Sequence, residues 1–89
     1  MKLKYEFVIR KVGGTAVAMA VGTDNVAFNG MVKLNTTAEF IFSMLNAGET
    51  TMDDIVAAMV KEYDIDENTA RDAAESFIGG LRGDGLIAE

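Results

Sequence analysis

A change of hydrophobic period at Leu34-Asn35-Thr36-Thr37-Ala38-Glu39 constrains this chain more than any other feature. Upstream, apolar residues alternate with period two between Gly and Asn-Gly turns, the pattern of short strands whose side chains point to opposite faces. Downstream they recur at i, i+3, i+4 and i+7, the pattern of helices that each bury one stripe. The expected class is therefore α+β. An N-terminal three-stranded antiparallel sheet over residues 1–35 precedes a three-helix bundle over 36–89, in the layout of a winged helix-turn-helix whose strands come first. At 89 residues, one domain is expected.

Residues 5–12 alternate, with Tyr5, Phe7 and Ile9 on one face and Glu6, Val8 and Arg10 on the other. Gly13-Gly14 supplies the positive φ angles of a two-residue hairpin turn. Residues 15–21 read as the partner strand, with Val17, Met19 and Val21 opposite the small Ala16, Ala18 and Ala20, and Gly22-Thr23-Asp24 breaks it. Asn29-Gly30, between Val26-Ala27-Phe28 and Met31-Val32-Lys33-Leu34, is a strong signal for a second hairpin.

Thr36 with Glu39 has the spacing of a capping box and opens the first helix, whose stripe is Ala38, Ile41, Phe42 and Leu45 and whose stop is Gly48. Thr50 and Asp53 repeat that start ahead of a second stripe, Met52, Ile55, Val56, Met59 and Tyr63. Asp64 or Asp66 caps a third helix carrying Ala70, Ala73, Ala74, Phe77, Ile78 and Leu81. Gly83 and Gly85 end it, and Leu86-Ile87 is expected to fold back onto the core. Gly79-Gly80 inside it costs about 1 kcal/mol per residue relative to Ala, so either something packs closely there or the last turn is weak.

Composition removes whole classes of chemistry. The chain has no Cys, which excludes disulfides, thiolate metal sites and cysteine nucleophiles, and no His, the commonest general base and transition-metal ligand. No apolar run reaches the length of a membrane span, and residues 1–5 lead straight into strand-like sequence, so neither membrane insertion nor a signal peptide is expected. A cytoplasmic location is the expectation. The net charge of −6 is split: residues 1–35 hold five basic against two acidic residues, residues 36–89 three against twelve.

Local motifs do not restore a chemistry. From Asp64, acids and amides fall at several positions of a calcium-binding EF-hand loop, but Thr69 stands where the loop needs Gly. A loop reaching Glu75 would also destroy the first turns of the third helix. An acyl-carrier protein needs a phosphopantetheine-bearing Ser at a helix start, whereas Ser43 and Ser76 are both mid-helix. Carboxylate pairs such as Asp53-Asp54 and Asp66-Glu67 lie at helix starts, where the helix dipole favours them. Neither an enzymatic activity nor a cofactor is expected.

The order and spacing of several pieces carry a resemblance over residues 4–88. Leu34-Asn35-Thr36-Thr37-Ala38-Glu39 precedes an aromatic-aliphatic helix. Gly48-Glu49-Thr50-Thr51 with Asp54-Ile55, then Tyr63, follow, and Phe77-Ile78 with Leu81 and Gly85-Leu86-Ile87 close the set. Together they resemble the PqqD family, named from pyrroloquinoline quinone biosynthesis and the type for recognition elements of ribosomally made, post-translationally modified peptides. The resemblance implies a non-catalytic peptide chaperone. It would hold the leader of a precursor peptide and deliver it to a modifying enzyme, in many cases a radical S-adenosylmethionine enzyme. It implies a leader added as a strand to the edge of the third strand, here Met31, Val32, Lys33 and Leu34. The third helix would border that groove through Arg71, Ala74, Glu75, Ile78 and Arg82, with Lys33, Arg71 and Arg82 suited to an acidic leader.

A DNA-binding winged-helix regulator is the rival from another class. Residues 50–82 would carry its reading surface, and they hold three basic residues against eight acids, so nucleic acid is not the expected partner. An unpaired strand edge beside the segment 22–30 leaves open a strand-exchanged homodimer.

Overall fold

The computed structural model describes residues 1–21 and 31–89. The elements run β1 (Lys2–Leu3), β2 (Glu6–Val12), β3 (Thr15–Val21), β4 (Met31–Leu34), α1 (Thr36–Ala47), α2 (Met52–Tyr63), α3 (Glu67–Gly83) and β5 (Ile87–Ala88). β2, β3 and β4 form an antiparallel sheet in that order, followed by the three helices, so the fold is α+β with its sheet N-terminal. The second hairpin signal, Val26-Ala27-Phe28 with Asn29-Gly30, lies outside the described residues.

The first hairpin closes with Val12 opposite Thr15, a two-residue connection through Gly13 (φ 58°) and Gly14 (φ 83°). Two consecutive positive φ angles match the twist of the flanking strands and strain any residue with a Cβ. The register places Phe7 beside Ala20, Ile9 beside Ala18, and Ala18 in turn beside Val32. These residues pack toward the helices. Small Ala16, Ala18 and Ala20 let the helical layer approach the sheet closely.

Each helix starts on a side-chain cap. Asn35 Oδ1 accepts from the Ala38 amide (2.8 Å), Thr51 Oγ1 from Asp54 (3.1 Å) and Asp66 Oδ1 from Thr69 (2.8 Å). The first cap is thus Asn35 rather than Thr36, and the second Thr51 rather than Thr50. Asn caps a helix as well as Thr does, and Glu39 is drawn instead into an ion pair with Lys11 (2.9 Å). Thr50 is buried, its amide donating to the Met1 carbonyl (2.9 Å). Asp64 ends α2 in the left-handed region (φ 53°), leaving Asp66 to start α3. The bonds from Thr69 hold the Asp66 carboxyl below its ordinary pKa.

Phe42 sits at the centre of the core, fully buried, with Phe7 edge-on at 5.1 Å and Phe77 at 6.5 Å between ring centroids. Ile41, Leu45, Ile55, Met59 and Ile78 surround the same core. Leu86 and Ile87 do fold back onto it, and β5 pairs with β1 in a second, two-stranded sheet. That pairing joins residues 2–3 to 87–88, a contact between chain ends that no local pattern announces.

A Cβ built on Gly79 or Gly80 meets nothing within 4 Å. Close packing therefore does not explain this pair, and the last turns of α3 are intrinsically weak. Gly79→Ala and Gly80→Ala are each expected to stabilise the fold by about 1 kcal/mol, which thermal denaturation reads as a rise of roughly 4–8 °C. A fall in the melting temperature would contradict the open surroundings of these glycines.

Candidate functional site

A sheet of three strands has two edges, and this fold treats them differently. At β2, Asn46 of α1 takes both backbone groups of Phe7: the Phe7 amide donates to Asn46 Oδ1 (3.3 Å) and Asn46 Nδ2 donates to the Phe7 carbonyl (2.9 Å). One side-chain amide imitates a neighbouring strand there and blunts the edge.

The same contact fixes the polarity of the ladder. The bonded groups of Phe7 point away from β3, so those of its partner Ala20 point toward β4. In an antiparallel sheet the direction alternates along each strand, so Ala18 and Ala16 also face β4. Their partners Val32 and Leu34 bond back to β3, which leaves the N–H and C=O of Met31 and Lys33 directed outward. No strand pairs with that side of β4 among the described residues. Side chains alternate at right angles to this: Leu34 is buried and Val32 half-buried on the core side, whereas Met31 and Lys33 are exposed.

At the end of β4, Asn35 leads into an open concavity of about 390 Å³ between α1 and α3. Its lining is largely apolar, with Ala38, Ile41, Ala73 and Phe77 beside the hydroxyl-bearing Thr37 and Ser76. Ala38 and Ile41 are buried core residues, while Ala73 and Phe77 are half-buried and accessible. Nearby, Tyr63 Oη donates to the Thr36 carbonyl (3.4 Å) and its ring stacks edge-on with Phe40 (5.5 Å). Burial, and then the charges of Glu62 and Glu39, push the Tyr63 pKa up. Tyr63 therefore stays a neutral strut for the start of α1.

An unpaired edge beside an apolar-lined groove has the geometry by which extended chains in general add to sheets. The family description "coenzyme PQQ synthesis protein D (PqqD)" matches residues 15–87. The chain belongs to the PqqD family. Comparison with curated proteins finds no match. Among solved structures, the fold is similar to that of TbiB1 in complex with the TbiA(beta) leader peptide, which superposes with a TM-score of 0.72 at 23% identity over 100% of both chains.

In this PqqD-family chain the structure divides the residues predicted for the groove. Met31, Val32, Lys33 and Leu34 form β4, which lies at one edge of the sheet among the described residues. On α3, Ala74 and Ile78 are fully buried in the core and present no surface. Arg71 lies on the other flank of the buried stripe, beside Val56, Ala57 and Val60 of α2. It is paired with Asp53 (3.0 Å) and Glu67 (3.4 Å), whose hydrogen bonds raise its pKa. Arg82 pairs with Glu89 (Nε to Oε1, 3.0 Å), and Glu75 is exposed on the same flank as Arg71 and Arg82.

The wall that α3 presents to the concavity is instead Ala73, Ser76 and Phe77. The reason is the pitch of the helix. At 3.6 residues per turn, positions 73, 76 and 77 share one flank of the stripe and 71, 75 and 82 the opposite one. Which flank faces β4 depends on how α3 packs over α1 and α2, which a helical repeat does not specify. The one sequence signal was Ser76, a hydroxyl wedged between apolar Ala73 and Phe77. The Asn46 clamp had no signal at all.

Proposed function

We propose that this PqqD-family chain is a non-catalytic, cytoplasmic peptide-binding domain over residues 1–89. It holds the leader of a ribosomally made precursor peptide as a fourth strand on β4 and presents it to a modifying enzyme, of the radical S-adenosylmethionine type or another. The observation that carries this reading is the outward-facing backbone of Met31 and Lys33 beside the concavity lined by Ala73 and Phe77. Family membership and the leader complex of the similar TbiB1 fold support it.

Magnitudes divide the work between edge and concavity. Two outward residues offer two donors and two acceptors, and at about 1 kcal/mol net per hydrogen bond they supply roughly 4 kcal/mol, a millimolar affinity. Main-chain pairing alone therefore sets direction and register. A useful affinity needs an apolar side chain of the peptide seated against Phe77 and Ala73, where burial adds about 2 kcal/mol. Lys33, exposed on the edge strand, favours a leader with carboxylates.

Isothermal titration with the leader of any short peptide encoded beside this chain tests the reading, with duplex DNA as a control. Lys33→Pro removes one outward N–H without touching the β3 ladder, since Pro is tolerated on a free edge. It is expected to weaken leader binding at least about tenfold, a loss of about 1.4 kcal/mol, and Lys33→Ala to weaken it less. Equal affinity for wild type and Lys33→Pro would remove the peptide from β4. Salt-sensitive DNA binding with no leader binding would overturn the function itself.

A further inference from the structure

The sheet has a second face, turned away from the helices, that meets the peptide groove only along β4. Glu6, Val8, Arg10 and Val12 of β2, Val17, Met19 and Val21 of β3, and Met31 and Lys33 of β4 share it by register. Every large hydrophobic residue that is exposed among the described residues lies here: Val8, Val12, Val21 and Met31, with Val12 and Met31 each 62% exposed. Val17 belongs to the same face. It is buried but stands outside the core cluster, flanked across the strands by Arg10 and Lys33. Neither cation has an ion-pair partner among the described residues.

We propose that this outer face docks a protein whose contact surface is apolar and fringed with carboxylates. Given the peptide-delivery reading, on which this identification rests, that protein is the modifying enzyme. Exposed large apolar residues gathered on one face of a small domain mark an interaction surface, and the charge of that face selects among occupants. A second copy packed face to face would bring two Arg10 and two Lys33 against only two Glu6 carboxylates, an uncompensated positive interface. An acidic partner instead neutralises Arg10 while covering Val8, Met19 and Val21.

Size points the same way. Three strands about 4.8 Å apart and up to seven residues long give a face of roughly 300 Å², whereas a stable partner hides about 800 Å² per side. The outer face is thus the apolar centre of a larger contact. A peptide strand added to β4 would extend it directly, because Met31 and Lys33 sit at that border. The enzyme would then meet the sheet and its cargo on one continuous surface.

The test measures affinity of the modifying enzyme encoded beside this chain by interferometry, using the whole protein with and without saturating leader. Arg10→Glu and Val8→Glu lie on β2, two strands from the peptide edge, and circular dichroism checks that each folds. Both are expected to weaken the enzyme at least tenfold while changing leader affinity less than twofold, and added salt should weaken the wild-type complex. Unchanged enzyme affinity in both folded variants overturns the proposal. So does self-association of the wild type that either variant abolishes, or binding to anionic vesicles in place of the enzyme. Failure of the leader to bind the wild type would remove the delivery reading alone, because docking is also measured without leader.

Discussion

Replacing Phe42 by Ala is expected to cost about 4 kcal/mol, within the usual range for an aromatic removed from a packed core. That is a large share of the 5–15 kcal/mol that a domain commands. Phe42 has no exposed surface and its ring joins three elements, touching Phe7 of β2 and Phe77 of α3 from its own place on α1. No neighbour can swing in to fill the space without abandoning its own contacts, so the cavity term adds to the lost burial. At roughly 4–8 °C per kcal/mol for a chain of this size, the melting temperature should fall by tens of degrees. Urea titration of the same variant should show the midpoint moving with little change of slope. Phe40→Ala, which removes a half-buried ring stacked on Tyr63, provides the comparison and should cost clearly less. A loss below about 1 kcal/mol for Phe42→Ala would mean that the sheet and helices do not meet around this ring.

The second large effect concerns binding without stability. Ala73→Trp places an indole in the concavity of about 390 Å³ between α1 and α3. Position 73 is half-buried on the accessible flank of α3, so the change leaves the buried stripe of Ala70, Ala74, Ile78 and Leu81 intact. Its cost to folding is limited to the poorer helix propensity of Trp, about 0.5 kcal/mol. Leader binding should fall by about 2 kcal/mol or more, the loss of one anchoring residue, which is roughly 30-fold in Kd. Arg71→Ala supplies the opposite expectation. Its guanidinium ties α3 to Asp53 of α2 on the far flank, so leader affinity should not change. If Arg71→Ala were the variant that lost the leader and Ala73→Trp retained it, the peptide would lie between α2 and α3, and the groove described here would be wrong.

Much of this architecture can be read from residue order because it depends on short-range physics. Gly13-Gly14 dictates a two-residue turn, alternation dictates the two faces of β2 and β3, and the stripe Ala38, Ile41, Phe42 and Leu45 dictates the buried side of α1. The starts of α1 and α2 are readable to within one residue, and that of α3 to within two. At Leu34-Asn35-Thr36 and Glu49-Thr50-Thr51, adjacent side chains have nearly equal capping strength, and the choice went to Asn35 and Thr51.

What residue order left undecided was everything that joins distant segments. The pairing of Lys2–Leu3 with Ile87–Ala88, the grip of Asn46 on Phe7, and the turning of Ala73, Ser76 and Phe77 rather than Arg71 and Glu75 toward the concavity are all of this kind. Periodicity defines a buried stripe but is symmetric about it. The stripe of α3 is flanked by Ala73, Ser76 and Phe77 on one side and by Arg71, Glu75 and Arg82 on the other, and packing against α1 and α2 decides which side borders the concavity. The sequence thus carried the elements, because each follows from contacts within a few residues, while the family and the edge strand rested on a resemblance in the order and spacing of motifs along residues 4–88. The groove wall and the guarded edge at β2 came from the tertiary structure, because they exist only where remote side chains meet.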